Sequence, residues 1–162
     1  MSALRALILA MLVLLVAPAL AQDWGQYDNV RFGYSIAIPP DFVGQGESDN
    51  GDGQQFQRRR GAQNLTVWGG LLGTANVDFE SEVKWRMARA TAAGWNLTYQ
   101  ATTPEWASFS AIKGSRVLYQ GMVLLCDRNH YAAFRAEYFT RDAAEMAAVI
   151  ETLVGSLRSA AC

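Results

Sequence analysis

The chain begins with an apolar run that looks like an address and not like part of a fold. Arg5 precedes the unbroken stretch Ala6 to Val16. Ala17-Pro18-Ala19-Leu20-Ala21 then ends in an A-x-A cleavage pattern. A positive residue, a short apolar segment and small residues at a cleavage point make a secretory signal peptide. The run falls short of the ~20 residues a spanning helix needs. No Cys follows Ala21 to carry a lipid. Residues 1–21 are therefore expected to be removed, leaving an exported protein, periplasmic or extracellular, with no transmembrane span. What must fold is 22–162, a length that suits one domain of roughly 100–200 residues and can bury a core of its own.

Export changes how the two cysteines are read. Cys126 and Cys162 are the only pair in the chain. In an oxidising compartment an even count predicts a disulfide, which would tie the C-terminus to whatever element carries Cys126. Closing a loop of that size is worth roughly 3–4 kcal/mol in the chain-entropy model. The other reading is two separate thiols, one buried and one on a frayed tail. The formal net charge is −1. That argues against nucleic acid as a partner, because binding phosphates needs a concentrated basic field.

Hydrophobic spacing then places the elements. Val30, Phe32, Tyr34, Ile36 and Ile38 alternate with more polar residues, predicting a strand that Gly33 splits or bulges and Pro39-Pro40 ends. Gly44–Gly53 reads as turns. Gln55–Arg59 and Leu65–Trp68 read as a hairpin joined through Gly61. Asp78 can cap a helix running to about Ala93, with Phe79, Val83, Met87 and Ala90 on one face and Gly94 as its stop. Trp95, Leu97 and Tyr99 alternate as a half-buried strand. Trp106–Lys113 is a strand, and Arg116–Cys126 is one apolar on both sides, as in a sheet covered twice. Asp127-Arg128-Asn129 makes a turn with Asn in the left-handed position. His130–Phe139 returns with Arg135 and Glu137 on its second face. A last helix starts near Asp142, with Asp142 and Glu145 as a capping-box-like pair. Strands, helix, strands, helix means α+β: an antiparallel β-sheet with helices on both faces.

The segment Asn29-Val-Arg-Phe-Gly-Tyr-Ser-Ile-Ala-Ile-Pro-Pro-Asp-Phe42 resembles the opening of the PsbP-like and DcrB-like family of exported proteins. Its members begin with an aromatic-Gly-aromatic strand, then Pro, then a bulky aromatic. The family includes the extrinsic PsbP subunit of photosystem II, and a nuclear transport factor that binds the Ran GTPase shares its fold. The resemblance implies an α/β/α sandwich, a Gram-negative source and a non-enzymatic accessory role, binding another protein or an envelope component. It carries no catalytic residue onto this chain, and the expected catalytic, cofactor and metal residues are none.

Several local features invite chemistry. Glu47, Asp49, Asn50 and Asp52 lie in a Gly-rich loop that offers oxygens to a small ligand or a hard cation. Aligned as an EF-hand loop on Gly53, however, the stretch places Ser48 first and Arg59 last, where a bidentate Glu is required. The plain reading is a turn-rich loop. His130 is the only histidine, and with Cys126 it could serve a thiol nucleophile in a hydrolase. Against that stands a half-disulfide beside a strand-end histidine. No G-x-S-x-G, Walker or G-x-G-x-x-G pattern occurs. Arg58-Arg59-Arg60 could meet an anionic surface or simply guard a hairpin tip. Trp85 lies off the buried stripe of its helix and would be a partner-contact anchor if exposed. Asn64 and Asn96 match the glycosylation sequon but fall in predicted strands.

Overall fold

The computed structural model describes residues 23–73, 78–160 and 162. The signal peptide expected at 1–21 lies outside them. Strands β1 (Gly25–Asn29), β2 (Tyr34–Ile38), β3 (Val43–Glu47), β4 (Gly53–Arg58) and β5 (Gln63–Leu71) precede helix α1 (Phe79–Ala92). Strands β6 (Asn96–Thr102), β7 (Trp106–Lys113), β8 (Arg116–Leu124) and β9 (His130–Phe139) then lead to helix α2 (Ala143–Ser156) and the short β10 (Arg158–Ser159). Seven strands form one antiparallel sheet in the order β3-β4-β5-β9-β8-β7-β6, and β1-β2-β10 form a second, smaller one. The chain is α+β. Among the described residues no helix is long and apolar enough to cross a membrane.

Period-two alternation along β9 sends its side chains to opposite faces. Ala132, Phe134, Ala136 and Tyr138 join Phe56, Leu65 and Val67 beneath α2, which contributes Met146, Ile150 and Leu153. Tyr34, Ile36 and Ile38 of β2 complete this core, so α2 and the small sheet cover one face together. Tyr131 and Ala133 point the other way, against Phe79 and Val83 of α1 and Met122 of β8. Farther along α1, Ala90 packs with Trp95, Phe109, Ala111 and Leu118. The helices therefore lie on opposite faces of the large sheet. Because β8 is covered twice, its sequence is apolar on both sides.

Helix α1 starts where Asp78 accepts the Ser81 N–H at 2.7 Å and stops at Gly94, whose φ of +86° a side chain would strain. Five other features differ from their sequence patterns. Val30–Gly33 is a turn, with Val30 94% exposed. The Asn29 side chain accepts the Phe32 N–H at 2.9 Å, and Gly33 takes φ +68°. The polar segment Gly25–Asn29 pairs with Tyr34–Ile38 in its place. Part of the Gly44–Gly53 stretch is strand: β3 pairs with β4 across a register shift between Gly44 and Glu47 and is exposed throughout. Leu97 and Tyr99 are 38% and 48% exposed, because β6 is an edge. In the 127–129 turn Arg128, not Asn129, is left-handed. Asp142 makes no side-chain capping bond to α2; it and Glu145 face the arginines of the β4–β5 hairpin.

Candidate functional site

The Glu47–Gly53 loop is held by its own polar groups. Ser48 Oγ donates to Asp52 Oδ1 at 2.7 Å, and Asn50 Nδ2 donates to Asp52 Oδ2 at 3.0 Å. Tyr27 Oη donates to Glu47 Oε1 at 2.7 Å. The loop carbonyls point back into the protein: Asn29 Nδ2 donates to Gly51 O at 3.0 Å, Tyr34 Oη to Asp52 O at 3.1 Å, and Arg31 to Asn50 O. Burial is the main reason the Tyr34 hydroxyl is pushed far above the usual phenol range, so it serves as a neutral donor. Of the four residues singled out in the sequence, Glu47, Asn50 and Asp52 are engaged in these bonds. Asp49 stays exposed. No group of three or more metal-ligating side chains occurs among the described residues.

Cys126 and Cys162 stand at disulfide distance, Cα–Cα 5.5 Å. A thiol nucleophile is therefore not what sits beside His130. That ring contacts Asp127 Oδ2 through Nδ1 at 2.5 Å and lies edge-on to Phe32, centroids 5.3 Å apart. Asp127 also accepts the Asn129 and His130 N–H groups at 2.9 and 3.0 Å. The His130 side-chain bond, then the backbone bonds, hold its carboxyl below the usual range. The arrangement closes a strand-end turn. Arg58 and Arg59 are not loose charges: Arg58 pairs with Glu145, Arg59 reaches Glu145 at 3.0 Å and Asp142 at 3.5 Å, and the hairpin tip is thereby docked on the start of α2.

The concave feature that the sequence did not announce lies on the α1 face. Helix α1 covers the β6–β8 side and leaves β4, β5 and the end of β9 open. Cross-strand register puts Gln57, Asn64 and Glu137 in one row there, and Gln55, Thr66 and Arg135 in the next. Where this strip meets α1 there is an open groove of about 510 Å³ bounded by Asp52, Thr66, Trp68, Gly70, Arg86 and Arg135, among others. Gly70 is directly opposite Tyr131, and a Cβ on Gly70 would sit 2.6 Å from Tyr131 Cε1. The missing side chain is what lets the phenol ring cross β5. Burial raises the Tyr131 hydroxyl above its ordinary value, with Arg86 opposing. Arg86 donates to that hydroxyl and to Glu82 Oε1 at 2.8 Å. Its guanidinium lies 4.8–5.7 Å from the rings of Trp85, Trp68 and Tyr131, within the range of cation–π attraction. Arg135 lies over Trp95 at 5.7 Å and donates Nε to Glu137 at 2.7 Å. Trp85 is 39% exposed at the rim.

Comparison with solved structures aligns nearly the whole described chain. The solution structure of cyanobacterial PsbP (CyanoP) from Synechocystis sp. PCC 6803 matches with a TM-score of 0.63 at 12% identity, covering 88% of this chain and 96% of that one. The Saccharomyces cerevisiae Ran-binding protein Mog1p matches at 0.61 and 9%, covering 86% and 97%. A Mog1 mutant gives 0.61 and 9%, covering 85% and 96%. This is the PsbP/Mog1 fold. No family model and no curated protein matches the sequence, so the likeness is one of architecture, and a shared fold does not fix a shared function.

Within the PsbP/Mog1 fold the residues that carried the resemblance have mechanical roles. A Cβ on Gly69 would run into Phe32, so Phe32 seats over that glycine. Gly33 makes the turn, and the fully buried Tyr34 fixes the Glu47–Gly53 loop from below. One end of that loop, Asp52, forms a wall of the groove. Of the loop residues marked in the sequence, Asp52 lines the groove and Glu47, Asp49 and Asn50 do not.

Proposed function

We propose that the protein is an exported, non-enzymatic accessory protein, periplasmic in a Gram-negative cell, and that it binds another protein or an envelope component. The observation that carries this reading is the open half of the α1 face. Three interior strands there present planar polar side chains beside a rim of Trp and Arg, residue types that dominate binding hot spots. Export rests on the Arg5–Ala21 signal pattern and agrees with the cysteine pair. The accessory role rests on the resemblance and on the fold.

A photo-crosslinking residue placed at Gln55, on the open strip, tests the reading, with one at exposed Glu151 on α2 as control. A discrete adduct from Gln55 and none from Glu151, in envelope fractions of the native host, is expected. Identical patterns from both positions, or no adduct from either, would remove the site from consideration.

A further inference from the structure

We infer that the groove between α1 and the open strip takes a neutral saccharide. This rests on the binding role proposed above and gives its ligand a chemical class. Charge comes first. The polar groups lining the groove include Asp52 and Glu137 against Arg86 and Arg135, two of each sign. The strip beyond adds the uncharged Gln55, Gln57 and Asn64. No net field draws a polyanion, which needs clustered cations.

The backbone is the second point. Strands β4, β5 and β9 are each paired on both sides. No free ladder edge in the groove can accept an extended peptide as an added strand. Recognition has to come from side chains.

Those side chains have the right shapes. Guanidinium, carboxylate and amide groups are planar, with adjacent donors or acceptors, and they suit the neighbouring hydroxyls of a sugar ring. Arg135 uses Nε on Glu137, which leaves its other donors outside that bond. Thr66 adds a hydroxyl, and the half-buried Trp68 supplies an aromatic surface for the apolar C–H face of the ring. The Tyr131 ring, crossing β5 over Gly70, forms that part of the floor. The volume falls in the roughly 300–1,000 Å³ range of small-molecule clefts, and the Gln55/Gln57/Asn64 rows continue it for further sugar units.

The test titrates the intact, disulfide-bonded protein with chitotetraose, cellotetraose and maltotetraose. A heparin tetrasaccharide and a neutral Gly-Ser peptide serve as counter-probes. The readouts are the Trp68 indole N–H resonance, assigned by its loss in Trp68→Phe, and the shift in melting temperature. At least one neutral tetrasaccharide is expected to move the Trp68 signal and raise the melting temperature. Gln55→Ala and Thr66→Val, both on the solvent side of the sheet, are expected to weaken it about three- to tenfold each while melting like the parent. The assignment is overturned if no neutral saccharide moves the Trp68 signal, if both variants bind as the parent does, or if only the heparin fragment or the peptide binds. A saccharide-negative result with a Gln55 crosslink to a protein removes the sugar and keeps the binding role. A negative result in both experiments removes both.

Discussion

Gly70→Ala tests whether the floor of the groove is built around a missing side chain. The added Cβ would stand 2.6 Å from Tyr131 Cε1 and closer still to Cζ and Oη, where ordinary contact is about 3.5–4.0 Å. The ring must therefore retreat by roughly 1 Å. It has nowhere to go, because Tyr131 is 2% exposed and packed with Phe79, Val83 and Ala107. Overpacking of this kind costs about 1–3 kcal/mol. Displacing Oη from Arg86 adds about 0.5–1 kcal/mol, at the low end for a hydrogen bond because Arg86 can turn to water. Against this, Gly→Ala restricts the unfolded chain and returns about 0.4–1 kcal/mol. The net expectation is a loss of about 1–3 kcal/mol, read from the urea midpoint at unchanged m-value. Tyr131→Leu should relieve the clash, so the cost of Gly70→Ala should nearly vanish in that background. A coupling of about 1 kcal/mol or more between the two sites is expected. Coupling within about 0.3 kcal/mol, or a Gly70→Ala protein as stable as the parent, refutes the account.

Gly121 repeats the device in the other core, where a Cβ would meet Phe134 Cζ at 2.9 Å. Gly121→Ala should lose about 1–2 kcal/mol in thermal melts and regain most of it with Phe134→Leu. Replacing Cys126 and Cys162 by Ser together should lower stability by about 3–4 kcal/mol for a bridge spanning 36 positions, seen as a lower urea midpoint. Intact mass of the exported protein should show a chain beginning at Gln22 and two hydrogens short. Asp127 has a depressed pKa, so its contribution is present above the unfolded carboxyl value of about 3.9 and is lost as pH falls through the folded value. Asp127→Asn should flatten the acid limb of a stability–pH profile; an unchanged limb counts against the turn-closing role. Glu145→Gln should cost about 0.5–1 kcal/mol by undocking the β4–β5 tip from α2, read from the urea midpoint.

Elements that bury a face were legible in the sequence; of the mostly exposed strands only β6 was, through its Leu97/Tyr99 alternation. Trp106–Lys113 and His130–Phe139 have the same bounds in sequence and structure, because each must alternate to serve the two cores. The Asp78 cap and the Phe79/Val83/Ala90 stripe located α1 for the same reason. Strands β1 and β3 escaped, since mostly exposed residues such as those of Val43–Glu47 leave no hydrophobic period to read. The Val30–Ile38 alternation ran too long because Val30 and Phe32 continue a pattern that a turn, held by the Asn29 side chain, interrupts. Asp142 and Glu145 fit a cap by spacing alone; two arginines some 85 positions away in sequence took those carboxylates, which local spacing does not record.

The groove follows from a mismatch of widths. A helix with its side chains is about 10 Å across and strands lie about 4.8 Å apart, so one helix covers two or three strands. A seven-stranded sheet with one helix on each face leaves half of each face to other structure. On the α2 face β1-β2-β10 fills that half, and the Cys126–Cys162 pair holds the C-terminal end beyond β10 beside the sheet. On the α1 face nothing among the described residues does so, and β4 and β5 meet solvent there with Gln55, Gln57, Asn64 and Thr66. One trace of this stood in the sequence. Between its end residues strand β9 is buried except at Arg135 and Glu137, while its neighbour β8 is mostly apolar on both sides. A charged pair on one face of an interior strand costs least where that face is open to water. Those two residues mark the place where α1 no longer covers the sheet. Asp52, Thr66, Trp68 and Arg86 reach it from three separate segments, so only the folded chain could name them.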